Sequence, residues 1–79
     1  MNLDQVKDTV IKPKLAESFG GLMASALLTT GVGAMAGCKD DKEKLAAMAK
    51  AICSHDKVKA MWGEAMALKR QREWSGLLG

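Results

Sequence analysis

The sequence contains no tyrosine, one phenylalanine and two tryptophans, and most of its apolar residues are Ala, Leu and Met. Strands favour β-branched and aromatic side chains, whereas Ala, Leu and Met favour helices. The shortage of strand-forming residues therefore argues against a sheet. We predict an all-α fold, a small helical bundle or helical hairpin of three to four short helices.

The chain is also short, at 79 residues. A chain of this size buries only about 60% of its extended surface on folding, so its core is marginal. One domain, residues 1–79, is the upper limit. Stabilisation by a partner, by oligomerisation or by a membrane is consistent with this size.

Histidine and cysteine, which supply most nucleophile, base and metal sites, are scarce. The single histidine, His55, lies two residues after Cys53, and side chains at that spacing point in different directions on a helix. Cys38, Cys53 and His55 lack a fourth strong ligand and match no common zinc spacing. We therefore predict a non-enzyme with no metal, no cofactor and no small-molecule substrate. Two free thiols are favoured over a Cys38–Cys53 disulfide.

The first twelve residues have apolar side chains at three-to-four-residue spacing, which predicts an amphipathic helix over residues 1–12 that Asn2 can cap. These apolar residues are Leu3, Val6, Val10 and Ile11. Pro13 follows. Because proline lacks a backbone N–H and disfavours helical geometry at Lys12, we expect a kink or a new helix there.

Residues 14–38 form an apolar segment rich in small residues, and no charge occurs from Phe19 to Cys38. A helix of this length would span a bilayer, but five glycines and three hydroxyls make the hydrophobicity borderline. Small residues recur at intervals of four, which predicts a helix-packing interface. They are Gly21, Ser25, Thr29, Gly33 and Gly37. The alternative is that glycine breaks the helix into a loop over residues 31–37.

The pattern of residues 40–74 predicts an amphipathic helical hairpin or one long helix, with Asp40 or Asp41 as the first cap and Ser54 as a second cap. Its apolar side forms a predicted partner face made of Leu45, Met48, Ile52, Met61, Trp62 and Met66. We also expect Trp62 in the core, and Trp74 as an anchor in an interface or a headgroup region.

Charge adds one further candidate site. The net charge is +3, and the excess of basic residues lies in the second half of the chain. Lys69, Arg70 and Arg72 are candidate contacts to phosphate or to an acidic partner. Acidic residues interleave with them, which is more typical of a solvated helix face.

Three functional hypotheses follow. The first is a protein–protein interaction or assembly module that self-associates or binds another protein; a small bacterial or phage accessory or structural protein would fit it. The second is a single-span membrane peptide that crosses through Phe19–Cys38, such as a lysis protein or a membrane-complex subunit. The third is a helix-turn-helix-like nucleic-acid binder.

Acidic residues before the apolar run are unusual for a secretory signal, so we expect a cytoplasmic protein, with membrane association as the alternative.

Overall fold

The chain forms five helices and no strand in residues 2–78, the part that the computed structural model describes. Helix α1 covers residues 3–19 in three consecutive pieces, Leu3–Val6, a π-helical turn Lys7–Ile11, and Lys12–Phe19. The other helices are α2 (Gly21–Gly33), α3 (Asp41–Cys53), α4 (Asp56–Trp62) and α5 (Glu64–Ser75). The all-α prediction is confirmed, but the described helices number five rather than three to four. Met1 and Gly79, part of the predicted domain 1–79, lie outside the described residues.

Pro13 does not end the first helix. Lys12 keeps helical angles, with φ −59° and ψ −48°, and its N–H donates to the carbonyl of Lys7, five residues back. Pro13 then falls in the first turn of the following α-helical piece, where the missing N–H is not needed. The expected interruption is thus a local widening of the helix, as π-type turns usually are.

Two predicted caps are present. The Asn2 Oδ1 atom accepts from the Gln5 N–H at 2.8 Å, and the Gln5 side chain accepts in return from the Asn2 N–H at 3.0 Å. Asp40 Oδ1 accepts from the Glu43 N–H at 2.8 Å. Both caps satisfy backbone donors that the first helical turn leaves unpaired.

The segment predicted as a hairpin or one long helix contains two breaks and therefore three helices. At the first break Ser54 does not cap α4, because its hydroxyl bonds to the Lys50 carbonyl at the end of α3. His55 caps α4 instead, through Nδ1, which accepts from the Lys57 N–H at 3.2 Å. At the second break Gly63 has φ +83°, a left-handed conformation that favours glycine. This second break explains the additional helix.

The glycine-rich segment is helical for most of its length. Helix α2 continues through Gly31 to Gly33, and a turn follows over residues 34–37. Gly31 faces α3: a Cβ atom there would lie 2.6 Å from Met48 Cγ and 2.9 Å from Ile52 Cδ1. The close approach between α2 and α3 therefore depends on Gly31, which is outside the predicted stripe of small residues.

The core lies between α1, α2, α3 and the two C-terminal helices. Its largest fully buried side chains are Ile11, Leu15, Leu27, Leu45, Met48, Ile52, Val6 and Val58. Trp74 is 3% exposed, whereas Trp62 is half-buried and packs against the core. Trp62 therefore lies at the edge of the core, and Trp74 is the more deeply buried of the two.

The predicted span from Phe19 to Cys38 is interrupted at Gly20 and again after Gly33. Within residues 2–78 we find no helix with the length and apolar character needed to cross a membrane.

Candidate interaction surfaces

The outward side of α2 is an uncharged, exposed surface. We call it the α2 outer face, and it consists of Leu22, Ser25, Ala26, Thr29, Val32 and Gly33. Leu22 is 91% exposed and Val32 is 45% exposed. The opposite side of the same helix is buried at Ala24, Leu27, Leu28 and Gly31. A helix that is apolar around its whole circumference is normally covered on both sides, so the α2 outer face has the composition of an interface.

Four of the five predicted small residues lie on the exposed side of α2, and the fifth, Gly37, lies in the turn that follows. None of the four helical ones packs α2 against its neighbours within the described chain. A Cβ atom built at Gly21 or Gly33 would meet no atom within 4 Å. The predicted packing interface is therefore free to receive another helix, and its role there stays a prediction.

The two threonine hydroxyls of α2 already have partners. Thr29 Oγ1 donates to the Ser25 carbonyl at 2.9 Å, and Thr30 Oγ1 donates to the Ala26 carbonyl at 3.2 Å. Burying a hydroxyl is costly when its donor is left unpaired. Because these two donors are satisfied inside α2, covering the threonines leaves no threonine hydroxyl donor unpaired.

A shallow groove of about 330 Å³ runs between α1 and α2, next to this face. Leu28 and Val32 supply its apolar part, and Ser25 and Thr29 supply its small residues. The α1 side is charged, with Lys7, Asp8 and Lys12. The α2 outer face is thus bordered on one side by mixed charge.

A second groove of about 380 Å³ lies between α1 and α5, and we call it the cationic groove. Helix α5 lines it with Met66, Lys69, Arg70, Glu73 and Trp74. Helix α1 adds Val10 and Lys14. Three cations and one carboxylate therefore surround an apolar floor.

Arg70 joins this groove to an aromatic cluster. Its guanidinium carbon lies 4.4 Å from the centre of the Trp62 ring, a cation–π contact. Trp62 in turn packs against Trp74 and Phe19, with ring centres 6.0 Å and 5.7 Å away. The Trp62 indole N–H donates to Ser18 Oγ at 2.8 Å. The cluster holds the Arg70 side chain in place.

The Nε atom of Arg70 is enclosed and has no hydrogen-bond acceptor among residues 2–78. An enclosed donor without an acceptor is costly and uncommon in folded proteins. This unpaired donor belongs to one of the three cations that line the cationic groove.

Of the predicted phosphate or acidic-partner contacts, Lys69 and Arg70 both line the cationic groove, whereas Arg72 lies outside it. Arg72 is exposed and does not line the cationic groove. Lys14, which sequence reasoning missed, joins the pair from α1. Its position depends on a contact between helices that are distant in the sequence, so no local signal could have indicated it.

The predicted partner face is divided in the structure. Leu45, Met48 and Ile52 are fully buried in the core, so they cannot form an outer surface of the folded chain. Met66 is 40% exposed in the cationic groove. Met61 is 58% exposed beside half-buried Trp62, in a depression shared with Phe19 and Lys57.

The two cysteine thiols are free, with Cys38 half-buried and Cys53 buried. Burial raises the pKa of the Cys53 thiol to about 11, an effect that the positive charge of Arg70 partly opposes. A thiol in this state is neutral and a poor nucleophile. Within the described residues 2–78 no group of three or more His, Cys, Asp or Glu side chains is placed to hold a metal ion.

Comparisons with protein-family models, with curated proteins and with solved structures gave no match. The surfaces described above are therefore the basis for assigning a function.

Proposed function

We propose that this protein is a non-enzymatic helical interaction or assembly module whose α2 outer face packs against a helix of another protein chain, with a second copy as the first candidate partner. The observation that supports the proposal most is the absence of charge on an exposed helix. Leu22 and Val32 are exposed there beside small residues, whereas the exposed sides of the other four helices carry charged residues.

The chemistry of the α2 outer face suits helix–helix contact. Small side chains let a second backbone approach closely and lose little side-chain entropy on burial. No lysine or arginine has to be dehydrated, and the threonine hydroxyls keep their partners within α2. Apolar contact at Leu22 and Val32 would supply the favourable burial.

The chain offers a matched pair of positions for the test. Ala26 lies on the α2 outer face and Ala46 lies on α3, and both are exposed and helical. A photo-crosslinking amino acid at Ala26 should link the protein to a second copy or to one defined protein of the cells that produce it. The same group at Ala46 should not.

In a second experiment the crosslinking group is placed at a neighbouring position of the α2 outer face. Ala26→Lys should abolish the crosslink from that position, whereas Ala46→Lys should leave it intact. Light scattering of the purified protein then distinguishes a second copy from a different partner. Equal crosslinking from Ala26 and Ala46, or none from either, would contradict the proposal.

A further inference from the structure

We infer that the cationic groove between α1 and α5 is a second binding site, which receives an acidic amphipathic segment of a partner protein. The groove is separate from the α2 outer face, and the two surfaces share no residue.

Charge complementarity indicates the sign of the occupant. Lys14, Lys69 and Arg70 line the groove against one acid, Glu73. In residues 2–78 none of these four charged side chains has an opposite charge within 4.0 Å, because the one ion pair there is Lys7–Asp4 at 3.9 Å. An incoming carboxylate would therefore meet cations that have no internal partner.

Arg70 is the most specific of the three cations. Its guanidinium carbon lies 4.4 Å from the centre of the Trp62 ring, and its Nε atom has no acceptor in the described chain. A carboxylate binds a guanidinium best through two parallel hydrogen bonds. A carboxylate in the groove would form a charge-assisted hydrogen bond with Arg70 where this side chain lines the groove.

The apolar floor indicates that the occupant also carries apolar side chains. Met66 is 40% exposed, and Val10 and Trp74 line the groove beside it. Methionine adapts its shape to varied apolar partners. A segment with a leucine or similar residue next to a carboxylate matches this arrangement, whereas a phosphodiester backbone has no apolar side chain to place on the floor.

A second copy of the chain is a poor candidate for this groove. The densest acidic segment of the sequence has Asp40, Asp41 and Glu43, but these alternate with lysines at positions 39, 42 and 44. This segment would therefore bring as many cations as carboxylates to a groove that is already positive. The occupant is accordingly assigned to a different protein.

The experiment uses the full chain and a short helical peptide of Glu, Leu and Ala, with a Gln-for-Glu version as its control. Trp74 lines the groove and Trp62 lies under Arg70, and these two are the only tryptophans. Intrinsic fluorescence therefore reports binding at the site. We expect saturable binding of the Glu peptide, and affinity at least about ten-fold lower for the Gln peptide.

Arg72 provides a matched control for Arg70, because both lie on α5 and Arg72 is outside the groove. Arg70→Gln should weaken binding of the Glu peptide by about ten-fold or more, and Arg72→Gln by less than about two-fold. Lys14→Gln, which leaves the Arg70–Trp62 contact in place, should weaken binding in the same direction. Circular dichroism verifies that each variant is folded.

Four results would overturn the inference. They are no saturable binding of the Glu peptide, equal losses in the Arg70→Gln and Arg72→Gln variants, tighter binding of a single-stranded oligonucleotide than of the peptide, and a change in association state caused by Arg70→Gln. The Ala26→Lys variant should bind the peptide as tightly as the unmodified chain does. This control distinguishes failure of the proposed groove site from failure of the proposed α2 outer face.

Discussion

Cys53 shows how the environment of a single residue makes stability depend on pH. Its thiol is buried, and this burial raises its pKa from 9.0 to about 11. Below pH 9 the thiol is protonated in both the folded and the unfolded chain, so stability does not change with pH on its account. Above pH 9 the unfolded chain loses this proton first, and stability falls until the folded thiol also ionises.

We therefore expect the free energy of unfolding to fall between pH 9.0 and about 11, by at most about 1.4 kcal/mol per pH unit from this group. Urea unfolding across this window measures the decrease. Cys53→Ala should remove this part of the pH dependence, whereas Cys38→Ala, at a half-buried thiol, should retain it. Parallel decreases in the unmodified chain and in Cys53→Ala would show that Cys53 is not responsible.

Single residues were predictable where their partners are close in the sequence. The caps at Asn2 and Asp40 use donors three residues away, and both are present. The deeper burial of Trp74 than of Trp62 was not predictable, because it depends on packing between helices that the local pattern does not contain. Arg70 was identified as a contact residue from its charge alone, and its position over Trp62 comes from the fold.

At the scale of helices, the contact between α2 and α3 depends on the absence of one methyl group. A Cβ atom at Gly31 would lie 2.6 Å from Met48 Cγ and 2.9 Å from Ile52 Cδ1. Both of these side chains are fully buried, so a shift of either one would disturb the packing of the core. Gly33 lies in the same helix, and a Cβ atom there would meet nothing within 4 Å.

Gly31→Ala should therefore destabilise the fold by about 1–3 kcal/mol through overpacking. Gly33→Ala should stabilise it by up to about 1 kcal/mol, because alanine loses less backbone entropy in a helix. Urea unfolding of the two variants gives both values. If both variants shift stability in the same direction, the α2–α3 contact is not as close as described.

Helices were predictable from periodicity, but their ends were less so. Pro13 and the glycines of residues 31–37 were expected to break helices, because both residue types weaken an isolated helix. The structure keeps α1 continuous by means of a π-helical turn, and it extends α2 to Gly33. At Gly31 the helix is stabilised by packing against α3, and this tertiary contact overrides the low helix propensity of glycine.

At the scale of the whole molecule, the chain is as compact as a monomer of its mass. Its solvent-accessible surface is 4662 Å², against about 4,600 Å² expected for a folded chain of this mass. Its radius of gyration is 11.3 Å, close to the value of about 11.6 Å expected for its length. A partner would therefore cover the α2 outer face of a chain that already encloses its own core.

Such a partner should be detectable in the stability of the whole molecule. If second copies pack through the α2 outer face, association stabilises only the folded state, so the melting temperature should rise with protein concentration. Circular dichroism over an about hundred-fold concentration range measures this rise. Ala26→Lys should abolish it and Ala46→Lys should preserve it, because only the first places a charge in the interface. A melting temperature that is independent of concentration would exclude a second copy, and the crosslink from Ala26 would then have to come from a different protein.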